Sequence, residues 1–553
     1  MKSMWFASLI TVIITFGTPG RAQEGSAPLS VSVLAINDFH GNLLSPGGIR
    51  IRDPNDPAKQ VLVPAGGAEA MATLIRQRSQ SKRNVTFVAA GDLIGASPLL
   101  SALFHDEPTI ESLSLMGLAA SAVGNHEFDE GKDELLRMQN GGCHPKDGCR
   151  GPHPFAGAGF QYLAASTIDT ATGKPVLPAY TVETFEGIGV AFIGLTLKGT
   201  PDIVMPSGVA GLSFRDEAET VNALVPEIRA KGIETIIVLI HEGGFPTGDY
   251  NACPGISGPI VEIVRKLDPA VDAVISGHTH RAYNCRIDGR LVTSADKFGT
   301  LVTDITLTID RTTRDVLRSD AENVIVRTDS YAKDPEQTAL IASYQTLSAP
   351  LANQVVGLLT ASLPKEANPA GESALGDVIA DSQLAATATE RDGRSVMALM
   401  NPGGVRTDLT RSADGRVTYA SLFAVQPFGN SLVTLDLTGS QIKAVLEQQW
   451  LNQTAPRILH VSKGFAYTWD NDRPPGDRVL AESLRLDGQP LSMTASYRVT
   501  VNNFLADGGD GFTIVKQGAR PQYGPIDVDA LSAYFAANSP IDPPAMERLS
   551  RLH

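Results

Sequence analysis

Between Val31 and about Arg327 the chain repeats one pattern. A short run of β-branched and apolar residues ends abruptly on polar ones, as in VSVLAIND, VTFVAAGD, ASAVGN, TIIVLIH and DAVISGH. Runs of this length, bounded by Gly, Asp and Asn, predict buried strands. Between them lie stretches such as ETVNALVPEIRAKG, which have the apolar spacing of amphipathic helices. The alternation predicts a layered α/β region over residues 28–330. Because polar residues close one apolar run after another, they should gather at one edge of the sheets. Ligand sites in α/β proteins commonly lie there, off the carboxyl ends of the strands.

The segment from Asp334 to Val356 has a capped helical pattern without an apolar surplus, so residues 331–356 read as a connecting helix. A second α/β region follows over residues 357–546, with a helix-like ESALGDVIADSQLAATAT and strand-like SLVTLDL and SYRVTVNNF. A length of 553 residues suits two domains. The start predicts an export signal over residues 1–22. Lys2 precedes an apolar stretch, and Gly20-Arg21-Ala22 has small residues at the −3 and −1 positions of a cleavage site. No later segment is apolar enough to span a bilayer, and no lipid or C-terminal anchor is evident, so a periplasmic or secreted protein is expected.

Charge and cysteine usage refine this picture. The formal net charge is −14, which disfavours general affinity for nucleic-acid polymers or anionic membranes. A phosphate-bearing substrate would need local cations. Four cysteines in an exported chain read first as disulfides. Cys143–Cys149 with Cys253–Cys285 is the favoured pairing, since the first pair closes one short Gly-rich loop. A thiolate zinc site lacks any C-x-x-C to support it.

Candidate chemistry sits where the apolar runs end: Asp38 and His40, Asp92, Asn125 and His126, His241, and His278 with His280. Singly, each is most simply a turn former or a satisfied polar group. As a set, oxygen and imidazole donors without thiolate suit manganese, zinc or a similar divalent ion, and the seven besides His126 already exceed what one catalytic ion normally uses. Two ions sharing a carboxylate could bind a phosphoryl oxygen and generate hydroxide for in-line attack. The stretch GNHEFDEG also reads as an Asn-capped helix start, with Glu127 and Glu130 favouring the first turn.

The strings NDFHG, GD, GNHEFD, IHEGG and GHTH resemble the successive motifs of the calcineurin-like metallophosphoesterases. Their spacing is similar to that of the 5′-nucleotidase family, which includes bacterial UDP-sugar hydrolase and animal ecto-5′-nucleotidase. The resemblance implies that Asp38, His40 and His280 hold one metal and Asn125, His241 and His278 the other, with Asp92 bridging. It implies a catalytic dyad of His126 and Asp129. In the second region it implicates Asn401 and Arg406 of MNPGGVRTD, Phe428 and Phe504 on either side of a base, and Asp510 and Gly464 nearby. One departure stands out: where many relatives carry arginines, this chain reads PKEANPAGESALGD, with only Lys365 as a cation. The reading that results is an exported 5′-nucleotidase dependent on two divalent ions. The alternatives are a UDP-sugar hydrolase, a 2′,3′-cyclic-nucleotide phosphodiesterase with 3′-nucleotidase activity, a hydrolase of sulfur-chain esters, or a catalytically silent nucleotide-binding protein.

Overall fold

The computed structural model describes Met1 and residues 27–553 apart from Pro54 and Thr454. Apart from Met1, the expected export signal and its cleavage site lie outside the described residues. Twelve strands of the first region form two six-stranded sheets, beside a small three-stranded and a two-stranded one. They are β1 (Leu29–Ile36), β2 (Val85–Ala89), β3 (Ala120–Ala122), β4 (Gln161–Leu163), β5 (Tyr180–Phe185), β6 (Ile188–Thr196), β7 (Thr235–His241), β8 (Ala273–Ser276), β9 (Ala282–Ile287), β10 (Arg290–Ala295), β11 (Leu301–Ile309) and β12 (Val316–Ile325). One sheet runs β12-β11-β1-β2-β3-β4 and the other β9-β10-β8-β7-β6-β5. The central pairs β1–β2, β2–β3, β6–β7 and β7–β8 are parallel, so their carboxyl ends point the same way within each sheet.

The two sheets face each other. Val31, Val33 and Ala35 of β1 share a core with Val190 and Phe192 of β6 and with Ile237 and Leu239 of β7. The alternate residues point outward, as period-two side chains must. Leu34, Ile36 and Phe87 pack against the helices Ala68–Gln80, Glu107–Leu115 and Lys132–Asn140. Ile193, Ile236 and Val238 pack against the helices Glu217–Ala230 and Pro259–Lys266. The result is a helix–sheet–sheet–helix sandwich. Every residue of β7 is buried, which explains its continuous rather than alternating apolar run. The sheets approach closely at Gly194, where an added Cβ would lie 2.3 Å from the Cβ of Leu163.

Both disulfides are present in the favoured pairing, Cys143–Cys149 and Cys253–Cys285. The helix Pro335–Ala352 is capped by Asp334, whose carboxylate accepts from the backbone N–H groups of Glu336 and Gln337. It lies against the first region rather than spanning free space: Tyr344 packs edge-on against Phe104 at 4.9 Å, and Ser112 donates to the Gln337 side chain at 2.6 Å.

The second region is built on a five-stranded sheet, ordered His460–Val461, Met397–Met400, Ser496–Asn502, Ser431–Thr438, Ala519–Ile526. Helix Ala374–Thr387 covers one face, with Leu375 and Ile379 against Met400. Helix Gly439–Glu447 covers the other, with Ile442 and Val445 among Leu399, Val433 and Leu435. The molecule is therefore a two-part α/β protein.

Candidate active site between the two domains

The ligand-type residues all lie off the carboxyl ends of β1, β2, β3, β7 and β8. Asp38 and His40 follow β1, Asp92 follows β2, and Asn125 and His126 follow β3. His241 ends β7, while His278 and His280 follow β8. Five of these residues, Asp38, His40, Asp92, His278 and His280, have left-handed backbones with φ between 45° and 70°. Such conformations cost energy outside glycine and persist where surrounding structure enforces them. Here the enforcement is visible: Asn37 donates to Asp38 Oδ2 (2.6 Å) and to Asp296 O (2.7 Å), and the His278 N–H donates to Asp38. Gly277 leaves the space, because a Cβ there would meet Ala90 O and Asp38 Oδ2, each at 2.9 Å.

Three groups of donors converge: Asp38 with His40 and His280, His40 with Asp92 and His126, and Asp92 with His241 and His278. Asp92 Oδ2 lies 2.9 Å from His241 Nε2 and 3.6 Å from His40 Nε2, a position shared between two sets of ligands. His280 Nε2 is 3.3 Å from Asp38 Oδ1, and His278 Nδ1 is 3.0 Å from Asn125 Oδ1. The Nδ1 atoms of His40 and His241 are bound to the carbonyls of Gly95 (2.8 Å) and Ala90 (2.7 Å). A ring N–H donated to a carbonyl fixes the tautomer and turns the Nε2 lone pair toward the cluster.

Electrostatics favour a cation at this place. His241 Nε2 is buried and has no aligned hydrogen-bond partner. Burial opposes its protonation, yet Asp92 and Asp38 push its pKa up to about 10. Burial likewise drives His40 and His280 well below the usual histidine range. Lone pairs and carboxylates converging without a lysine or arginine among them make a donor set that fits two divalent ions.

Glu127 supplies a role the sequence reading left open. It is buried, and its carboxylate accepts from the N–H groups of Leu93 (2.8 Å), Asp92 (3.0 Å) and Gly124 (2.6 Å). It therefore ties the loop carrying Asp92 to the loop carrying Asn125. A single 3-10 turn, His126–Phe128, does follow Asn125 and contains Glu127, but Asn125 makes no side-chain capping bond; Glu130 lies beyond that turn, and the α-helix begins only at Lys132 behind Gly131.

His126 and Asp129 are joined through Nδ1 and Oδ2 at 2.7 Å. Burial opposes a charge on His126, but Asp129 and Asp92 prevail and raise its pKa. Its ring lies edge-on to His40 at 5.0 Å and stacks on Phe428 of the second domain at 5.7 Å, with 16° between planes. Arg406 lies over the same Phe428 ring at 5.5 Å.

Beyond Phe428 a cavity of about 320 Å³ opens between the domains. Asn125, His126, Asp129 and His278 form its floor, and Asn401, Arg406, Phe428, Phe504 and Asp510 line it from the second domain. Phe504 lies against Gly509, where any Cβ would collide with the ring at 2.4 Å. Asp510 accepts from Asn401 (2.8 Å) and pairs with Arg457. Gly464 does not line this cavity; it borders the strand Phe465–Asp470, where its carbonyl accepts from Asp487 N. Lys365 is outside the lining too, with Nζ bound to Arg406 O at 3.1 Å. Reading the sequence missed Arg457, Asn502, the apolar wall Ile203–Val204–Met205 and Lys297. Lys297 follows Asp296 just beyond the buried end of β10, where polar residues also follow the other strands of the site. Its ammonium sits over Phe298, whose ring abuts His40 and His280, which puts a cation beside the ligand cluster.

A sandwich of two sheets with imidazoles and carboxylates at the strand ends defines a calcineurin-like phosphoesterase domain, and that family description matches residues 31–282. The description "5′-nucleotidase, C-terminal domain" matches residues 353–517, and the chain belongs to the 5′-nucleotidase family of these phosphoesterases. Among relatives, Endonuclease YhcR of Bacillus subtilis is 33% identical over 93% of this chain, and the Listeria monocytogenes cell wall protein Lmo0130 is 32% identical over 91%. The chain spans 40% and 66% of their respective lengths. A 5′-nucleotidase of Vibrio cholerae is 24% identical, with 98% of this chain and 97% of that protein aligned. The 5′-nucleotidase precursor of Thermus thermophilus superposes with a TM-score of 0.76 at 27% identity, covering 95% of this chain and 99% of that one.

Proposed function

We propose that this chain is an exported phosphohydrolase that removes the 5′-phosphate from nucleotides with the help of two divalent ions. The observation that carries the reading is the shared cavity, in which the ligand cluster and His126 face an arginine and two phenylalanines of the other domain. Asp38, His40 and His280 would hold one ion, Asn125, His241 and His278 the other, and Asp92 both. Such ions supply charge neutralisation at the phosphoryl oxygens and a water acidic enough to attack phosphorus at neutral pH.

The chain's own residues do the rest. Arg406 and Lys297 attract and orient the anion. His126, held by Asp129 at Nδ1, has Nε2 as its remaining donor toward the leaving oxygen, where charge develops. Phe428 and Phe504 both line the cavity, where a flat base would lie against them. The wall from Ile203 to Met205 excludes water from that side. The names of relatives extend the range of esters considered, since one is an endonuclease and another a trifunctional nucleotide phosphoesterase. The net charge of −14 and a cavity of only about 320 Å³ favour a mononucleotide over a polymer.

Protein reloaded with manganese or zinc is expected to release phosphate from nucleoside 5′-monophosphates. Phe428→Ala and Phe504→Ala should each weaken nucleotide use by roughly 1–3 kcal/mol, the value of one base stack, while sparing a simple aryl phosphate. Absence of phosphate release across a nucleotide panel would refute the activity. Equal losses on both substrates would refute base stacking.

A further inference from the structure

A second group of ligand-type side chains lies outside the cavity. His105 and His144 stack with ring centroids 3.8 Å apart and 13° between planes, and a carboxylate stands at each end of the pair. At one end Glu130 Oε2 is 2.8 Å from His105 Nδ1 and 3.8 Å from His144 Nε2. At the other, Asp147 Oδ2 is 2.9 Å from His105 Nε2 and 3.8 Å from His144 Nδ1. Arg150 approaches Asp147 at 3.3 Å, whereas Glu130 has no lysine or arginine within ion-pair distance among the described residues. His144 and Asp147 sit within the loop closed by Cys143–Cys149, and the Gly148 N–H donates to His144 O. The disulfide therefore holds together the short loop that carries both residues.

We propose that His105 Nδ1, His144 Nε2 and Glu130 form a binding site for a divalent ion of the zinc class, separate from the cluster between Asp38 and His280. One donor atom from each of the three lies within 4.8 Å of the others. Two imidazoles and one carboxylate are a common zinc ligand set, and water completes the tetrahedron. Asp147 takes the position behind the ligands. It already meets His105 on the nitrogen opposite Glu130, and it faces His144 on the corresponding nitrogen. A carboxylate placed so fixes ring tautomer and strengthens the ligand. Uptake of the ion requires one local change: His144 leaves the stack and gives up the bond its Nδ1 accepts from Asp147 N (3.1 Å), then donates from Nδ1 to the Asp147 carboxylate. The site would pin Glu130, the residue next to Asp129, to the turn at His105.

The test is a metal count on the full chain. Protein saturated with zinc and then desalted should carry one ion more per chain than His144→Ala or Glu130→Gln, with circular dichroism confirming that each variant is folded. Asp147→Asn should keep that ion but bind it roughly 10–100-fold more weakly. Cobalt substitution gives an independent readout, because the additional site should add visible absorption that His144→Ala lacks. Equal metal content in wild type and both variants would overturn the proposal, leaving a protonated His105 between two carboxylates as the whole account of the cluster. The comparison leaves Asp92 and its neighbours untouched, so it is decided even if no nucleotide is hydrolysed.

Discussion

Glu127 collects three backbone N–H groups on one buried carboxylate, and in doing so it positions residues that bear different chemistry on either side. That division can be separated by mutation. Asp92 sits between His40 and His241, so Asp92→Ala should sharply lower bound metal as measured by elemental analysis. His126 holds a ring bond to Asp129, so His126→Ala should keep the metals and lower kcat by roughly 10²–10⁴-fold, the usual worth of a positioned proton donor. Metal loss in the His126 variant, with retention in the Asp92 variant, would reverse the two roles. The residues around the strand ends were legible because each interrupts an apolar run with a group costly to bury. Arg457 was not, since its loop carries no pattern and its partner Asp510 is 53 positions away.

At the level of elements, the period of the apolar runs disclosed strands and layers, but not which strands pair. That two sheets rather than one hold the first domain depends on matches across long separations, such as β1 with β11. Such matches are set by packing and not by local preference. The start of β8 shows a cost hidden inside one element. Asp272 accepts from Ile236 N at 2.8 Å, and burial pushes its pKa up to about 7. A carboxyl with a raised folded pKa binds its proton more tightly in the native state. Its stabilising effect is therefore full below the ordinary carboxylate pKa and is lost as pH rises through about 7. Asp272→Asn should match wild type at pH 4 and exceed it at pH 8 by about 1 kcal/mol or more in thermal or denaturant unfolding. The same difference at both pH values would show that Asp272 does not titrate there.

For the whole molecule, all seven candidate ligands come from the first domain, while the cavity draws its aromatic walls from the second. Ligand binding stabilises only the unit that contains the site. Calorimetry with and without a chelator should therefore lower the melting transition of the first domain and leave that of the second in place. Equal shifts in both would mean that the domains unfold as one cooperative unit. Helix Pro335–Ala352 packs on the first domain and also meets the helix Tyr419–Val425 of the second, so it lies at the seam between the two. The pairing of β1 bears also on how the chain is born. Its uncharged run SVSVLAI emerges first and has β2 as an early neighbour, but the strand for its other edge, β11, begins at Leu301. Until β11 is made the nascent chain therefore carries a sticky open strand edge that can pair with another copy.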